Sequence, residues 1–219
     1  MTEEDKFYDD AKKYWEHVSP TVDGMLGGYS HISSTDIAGS NKFLRPFIRG
    51  PNAKTGTRRA LDCGSGIGRI TKRLLLPLFQ TVDMVELNEE FLKQARPFLG
   101  EHASRVERYI CSSLHSFTPE TGRYDVIWCQ WVLGHLTDVD LTRFFKRCRA
   151  ALAENGVIIV KENAASSSTR EFDENDSSFT RPKQLLVDII QVAGLTIMKE
   201  EKQIGFPKNI YDVWMFALR

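Results

Sequence analysis

Nowhere in the 219 residues do eighteen apolar residues run together, and Met1 to Asp10 is charged rather than apolar. A membrane-spanning helix and a secretory leader are therefore not expected, and the reading is a soluble, intracellular chain that engages no membrane. Neither charge is in excess, with Lys+Arg and Asp+Glu equal at 29 each. A protein that tracks a phosphate backbone carries a basic surplus, so nucleic acid is a disfavoured substrate. Cysteine is scarce: Cys63, Cys111, Cys129 and Cys148 form no C-x-x-C pair, and the five histidines show no ligand spacing. Neither a zinc site nor a disulfide framework is indicated, and the cysteines read as small buried hydrophobes. No Pro/Gly/Ser-rich linker divides the chain, which points to one domain over 1–219 with a helical lid or extension over 1–50.

What is present is an alternation of strand and helix signals. Arg59–Asp62, Thr81–Glu86, Val106–Cys111, Tyr124–Cys129, Val157–Val160, Thr196–Glu200 and Tyr211–Ala217 read as strands. Ile67–Leu76, Glu89–Leu99, Val139–Leu152 and Pro182–Ala193 read as helices, and Glu154-Asn155-Gly156 as a turn. Seven strands with intervening helices predict an α/β fold with a doubly wound, mostly parallel sheet, whose ligand lies beyond the carboxyl ends of the strands. Two pieces stand outside that plan. Asp5–Val18 reads as an amphipathic helix with Phe7, Tyr14 and Trp15, followed by a glycine-containing stretch to Tyr29, which suggests a lid; Ala164–Ser178 reads as a polar, acidic insertion.

The stretch Ala60-Leu61-Asp62-Cys63-Gly64-Ser65-Gly66-Ile67-Gly68-Arg69 carries three alternating glycines between a strand and a helix, the local device that lets backbone approach a nucleotide-like ligand. Arg69 stands where a dinucleotide fingerprint needs a small residue, and an arginine fork suits a carboxylate. With Asp62 at the strand end, this favours S-adenosylmethionine over NAD, the competing reading of the glycines. Gly64 and Gly66 approach the methionine portion, and Glu86, 22 residues after Gly64, accepts the ribose hydroxyls. Leu114 and His115 flank adenine, and Gln130 faces the methionine portion and the sulfonium.

Beyond the glycine turn, the segments Tyr14-Trp15, Pro20 to Tyr29, His31 to Ser34, Gln130-Trp131, Gly134 to Asp138, Asp176 to Ser178 and Phe216 to Arg219 give the chain a resemblance that spans nearly its whole length. It resembles the protein N-terminal (alpha-amino) methyltransferases, which modify chains beginning X-Pro-Lys or X-Pro-Arg. The resemblance implies a class I S-adenosylmethionine-dependent fold and protein or peptide substrates with such N-termini. It also implies dimethylation or trimethylation as an outcome and residence in nucleus and cytoplasm. By the same resemblance Leu26, Gly27, Ile32 and Ile210 enclose the second-position proline, and Trp131, Asn163 and Tyr211 hold the first residue. Asp173, Asp176 and Ser178 receive the third-position cation, and Tyr14 and Trp15 close the lid. Three features depart from the family pattern: Glu86 in place of Asp, His115 in place of an amide, and an insertion one residue longer between Asn163 and Asp173.

Methyl transfer to an amine needs a free lone pair, so a group must accept a proton. His135 and Asp176 are the expected catalytic pair, acting directly or through water, and no metal is expected. A small-molecule N- or O-methyltransferase on the same sheet would show no peptide dependence, and a non-catalytic cofactor-binding regulator would tolerate replacement of both residues. A DNA amino-methyltransferase lacks support, because no Asn/Asp-Pro-Pro-aromatic run follows the fourth strand.

Overall fold

The structure, a computed structural model, describes residues 2–219. Helix α1 (Glu3–His17) opens with a capping box, in which the Thr2 hydroxyl accepts from the Asp5 N–H and the Asp5 carboxylate accepts from the Thr2 N–H. A single turn, α2 (Val22–Met25), follows, and then α3 (Ser33–Ile48). Phe43 and Leu44 of α3 are fully buried, so the second half of residues 1–50 belongs to the core, and α1 with the α2 region forms the part above the sheet.

The sheet strands are β1 (Arg59–Cys63), β2 (Thr81–Glu86), β3 (Val106–Cys111), β4 (Tyr124–Gln130) and β5 (Leu152–Ala165). They are followed by β6 (Glu171–Asp173), β7 (Ser178–Pro182), β8 (Ile197–Lys202) and β9 (Asp212–Leu218). Neighbours run β3-β2-β1-β4-β5, with β9 antiparallel against β5 and β8 antiparallel against β9. The chain leaves β1 toward β2 on one side and returns on the other side at β4, so a crevice opens beyond the carboxyl ends of β1 and β4. Side chains alternate across the sheet. Ile127 and Cys129 join the layer under α5 (Asp138–Ala151) and α6 (Lys183–Val192), while Val126 and Trp128 join the layer under α3 and α4 (Glu89–Leu99). Cys63, Cys129 and Cys148 are buried and Cys111 is exposed.

The expected seven strands are all present, and two more appear. The insertion expected as a polar loop over Ala164–Ser178 forms part of β5 and the antiparallel pair β6–β7. Its aromatic residues explain the pairing: Phe172 and Phe179 meet at 5.1 Å between ring centroids, and Phe7 of α1 stacks on Phe179 at 5.2 Å. Two local expectations also change. The helix after the glycine turn is short and widens into π-type bonding over Thr71–Leu75, where the Leu76 N–H donates to the Thr71 carbonyl; residues 64–68 are spent on the turn, and Gly68 lies at φ 86°. The turn at Asn155 is a left-handed residue (φ 59°) within β5, where the register against β4 shifts.

Candidate active site

The crevice holds two connected spaces. The inner one, about 280 Å³, is lined by all seven residues expected around a cofactor: Gly64, Gly66, Arg69, Glu86, Leu114, His115 and Gln130. Backbone geometry makes the glycines necessary. Gly64 lies at φ 66° and an added Cβ would meet Val132 Cγ2 at 2.4 Å; Gly66 lies at φ 53° and its Cβ would meet Met25 Sδ at 2.5 Å. The Glu86 carboxylate is buried at the end of β2, where it accepts from the Gly66 N–H and the Asn88 N–H, each at 2.9 Å. Burial pushes its pKa up against those two bonds. The His115 ring stacks on Tyr8 of α1 at 4.5 Å, and Arg147 fixes the loop by donating to the carbonyls of Leu114 and His115.

Asp62, the strand-end acid that favoured S-adenosylmethionine over NAD, does not line the inner space. Its carboxylate turns away from the inner space and accepts from the Thr71 hydroxyl (2.6 Å) and N–H (3.1 Å), tying β1 to the helical turn. Burial pushes this acid up to about 7. Arg69 and Gln130 also have partners that the sequence did not reveal. Arg69 Nη1 donates to Asp36 Oδ2 at 2.6 Å, and Gln130 Nε2 donates to Asp36 Oδ1 at 2.8 Å. Asp36 is fully buried on the inward face of α3. A signal for it existed, since Ser33, Asp36, Ser40 and Phe43 recur at three- and four-residue spacing, and a carboxylate on a buried face requires a cation.

The outer space is a groove of about 1010 Å³ between the α2 region, β5, β7 and the Lys208–Trp214 segment. Tyr14, Trp15, Leu26, Gly27, Ile32, Trp131, His135, Asn163, Asp176, Ser178, Ile210 and Tyr211 all line it. Asp173 does not; it is exposed on β6, where its Oδ1 accepts from the Asn175 backbone and side-chain amides. Trp15, Met25, Trp131 and His135 border both spaces, so the inner cavity opens into the groove at these four residues.

Residues at this junction are held in place from several directions. Trp131 adopts φ 52°, and its indole N–H donates to Asn163 Oδ1 at 3.1 Å. Ser177, beside Asp176, also lies in the left-handed region at φ 53°. Two non-glycine residues in this region flank one groove, which is strain that only surrounding packing maintains. Glu162, which no motif in the sequence marks, accepts from the N–H groups of Val132 and Leu133 at 2.8 Å each and so anchors the turn leading to His135. Burial pushes its pKa up to about 7. His135 Nε2 accepts from the Trp15 indole, and Nδ1 lies 3.4 Å from the Ser177 carbonyl, so the neutral ring carries its proton on Nδ1. Burial lowers the His135 pKa, while the charge of Asp176 and the bond to Ser177 act in the opposite sense. Asp176 Oδ1 is buried without a hydrogen-bond partner. Tyr211 donates its hydroxyl to Glu171 Oε2 at 2.7 Å, linking the groove's far wall to β6.

These features fit S-adenosylmethionine in size and donor set. The inner space has apolar walls at Ile70, Phe91 and Leu114 for a purine, the strand-end carboxylate of Glu86 for a diol and the Arg69 guanidinium for a carboxylate. It also holds Ser65 Oγ, buried without a partner.

The sheet order with this glycine-lined cavity defines a class I S-adenosylmethionine-dependent methyltransferase. A SAM-dependent methyltransferase from Leishmania major has the same fold, with a TM-score of 0.91 at 38% identity over 97% of this chain and 83% of that one. A Haemonchus contortus phosphoethanolamine N-methyltransferase, solved with S-adenosylhomocysteine, shares the fold at a TM-score of 0.77, with 17% identity over 100% of this chain and 50% of that chain. The AdoMet dependent proline di-methyltransferase family matches residues 3–219, and the chain belongs to it. Relatives named N-terminal Xaa-Pro-Lys N-methyltransferase 1 are 56% identical in Homo sapiens and 54% identical in Danio rerio, each over 100% of this chain and 98% of the relative.

Proposed function

We propose that this methyltransferase acts on the alpha-amine of protein N-termini beginning X-Pro-Lys or X-Pro-Arg. The observation that carries the reading is a groove of about 1010 Å³ that opens into the inner cavity and is lined by Asp176, one of whose carboxylate oxygens is buried without a partner. The names of the full-length relatives support the same substrate class.

In this reading, S-adenosylmethionine supplies an electrophilic methyl carbon, and the chain's residues do the rest. Arg69 pairs with its carboxylate, Glu86 accepts from the ribose, and Leu114 and His115 flank the adenine, with Gly64, Gly66 and Gln130 around the methionine portion. Leu26, Gly27, Ile32 and Ile210 enclose a proline ring, whose fixed shape loses little entropy on binding. Trp131, Asn163 and Tyr211 hold the first residue so that its nitrogen meets the methyl carbon in line. Asp176 orients the ammonium and takes its proton. An alpha-amine has a pKa of about 7.7–8.0 against about 10.4 for lysine, so a carboxylate with water suffices as acceptor. His135, whose two ring nitrogens are engaged by Trp15 and Ser177, acts in this closed arrangement by placing Trp15, and it joins proton removal only when Trp15 releases Nε2. Ser178 lines the groove and is available to a third-position cation, whereas Asp173 stands outside the lining on β6 and meets such a cation only as an exposed charge. Methylation leaves an amine, so the same arrangement permits a second or third round.

The test is mass spectrometry of a Ser-Pro-Lys peptide, with an X-Ala-Lys peptide and a small amine as comparisons, after incubation with S-adenosylmethionine. Mass should be gained at the N-terminal amine of the Pro-containing peptide alone. Gain on the lysine side chain, or equal gain by the small amine, overturns the reading.

A further inference from the structure

Lys161 on β5 is fully buried, directly behind Arg69's partner. Its ammonium lies 2.6 Å from Asp36 Oδ1 and donates to Ser40 Oγ at 3.0 Å, Gln203 Oε1 at 2.7 Å and the Asp36 carbonyl at 3.2 Å. The surrounding chain is shaped to this arrangement. Gly39 of α3 has no side chain where the Gln203 amide passes, and an added Cβ would meet Gln203 Oε1 at 2.2 Å. The Phe206 ring covers the ammonium from the remaining side, 5.7 Å from its centroid.

The charges do not balance. Arg69 and Lys161 share the single carboxylate of Asp36, and Asp36 and Lys161 have no exposure while Arg69 has 5%. Asp62, which also acts on Arg69, is pushed up to about 7 and supplies less than a full counter-charge; burial, with the Arg69 charge, lowers the Lys161 pKa, and the contact with Asp36 acts to keep the ammonium charged. A buried cluster with an unmatched charge is costly unless something offsets it. Of the three, only Arg69 reaches the wall of the inner cavity, so the excess is presented there.

We propose that Lys161 is a positioning residue for ligand selection: through Asp36 it leaves the Arg69 end of the cavity with one uncompensated positive charge, which selects a nucleoside carrying a carboxylate. The inference rests on the assignment of Arg69 to the methionine carboxylate. Lys161 touches neither the ligand nor the reacting atoms, and its effect is electrostatic and exerted on affinity. A lysine that merely satisfied Asp36 would stabilise the fold without distinguishing between ligands.

The experiment is calorimetric binding of S-adenosylhomocysteine and of its decarboxylated analogue to the full chain. Two variants are compared with the natural protein. Lys161→Gln removes the charge and keeps two N–H donors among the acceptors of Asp36, Ser40 and Gln203; Gln203→Glu keeps Lys161 and adds a buried negative charge beside it. Each should lower the preference for the carboxylate-bearing ligand about tenfold, the scale of one charge acting across roughly 12 Å at an effective dielectric of about 20. The loss should fall on S-adenosylhomocysteine, with the analogue bound as well as before or better. Parallel weakening of both ligands, or an unchanged preference in whichever variant folds, overturns the proposal. A natural protein with no preference between the ligands would instead remove the Arg69 assignment on which it rests.

Discussion

Trp15 and His135, 120 residues apart, are joined by an indole N–H donated to Nε2 at 2.9 Å. One residue belongs to the N-terminal helix and the other to the turn after β4, so this bond closes the lid over both the inner cavity and the groove. The lid has further ties of the same kind: Asn88 donates to the Trp15 carbonyl at 3.0 Å, Tyr8 donates to Asp140 at 2.7 Å, and Ser177 donates to the Phe7 carbonyl at 3.0 Å.

Replacing Trp15 by Phe keeps an aromatic wall and removes the donor. His135 Nε2 is then left without its partner, at a net cost of about 1 kcal/mol for one hydrogen bond. The expected result is a weakening of both S-adenosylhomocysteine binding and peptide KM by roughly fivefold, because the lid borders both spaces. Calorimetry and steady-state kinetics check it, and a change confined to one ligand would contradict a shared closure.

Asp176→Asn preserves size and removes the proton acceptor. A general base contributes about 10²–10⁴-fold, so kcat should fall within that range while S-adenosylhomocysteine binds nearly as well as before. Steady-state turnover and calorimetry on the same preparation separate this from a folding defect, which would reduce both together.

Two buried groups impose opposite pH dependences on stability. His135 has its pKa lowered by burial, so the unfolded state binds the proton more readily; its contribution is present above about 6.5 and is lost as pH falls through the folded value. Protonation also puts a hydrogen on Nε2, which then cannot accept from Trp15. Melting temperature should drop from pH 7.5 to 5.5, with a smaller drop in His135→Gln. Burial raises Glu162 to about 7, well above the ordinary carboxylate range, so the unfolded state loses its proton first and stability falls as pH rises across that window. Glu162→Gln, which can still accept from Val132 and Leu133, should melt at a higher temperature than the natural protein at pH 8 and show little difference at pH 4.5.

The two cavity glycines differ in what a methyl group would strike. At Gly64 the obstacle is Val132, β-branched and stiff, whereas at Gly66 it is the sulfur of Met25, which can swing aside. Both positions carry the strain of positive φ, about 1–2 kcal/mol for a side chain. Gly64→Ala should therefore lose S-adenosylhomocysteine binding altogether and lower the melting temperature more than Gly66→Ala. Thermal melts with and without ligand provide the comparison.

The strands, the main helices and the glycine turn were legible because their signals are local. Period-two and period-3.6 patterns survive in any short window, and glycines at positive φ have few substitutes. The wall of the inner cavity was legible for the same reason, since strand ends and the turn fix which residues reach it. Asp173 shows the limit: an acidic stretch can be read from composition, but which of its carboxylates points into a groove depends on how β6 pairs with β7.

Chain order alone fixed the reagent's place, since a β–turn–helix with this spacing builds its cavity from neighbouring residues. Packing between distant segments decided the rest. Asp62 turned to Thr71, Asp36 came to hold Arg69, Gln130 and Lys161, and Trp15 met His135. A buried polar group must find its partner wherever the fold supplies one, and that partner is set by tertiary proximity rather than by sequence spacing.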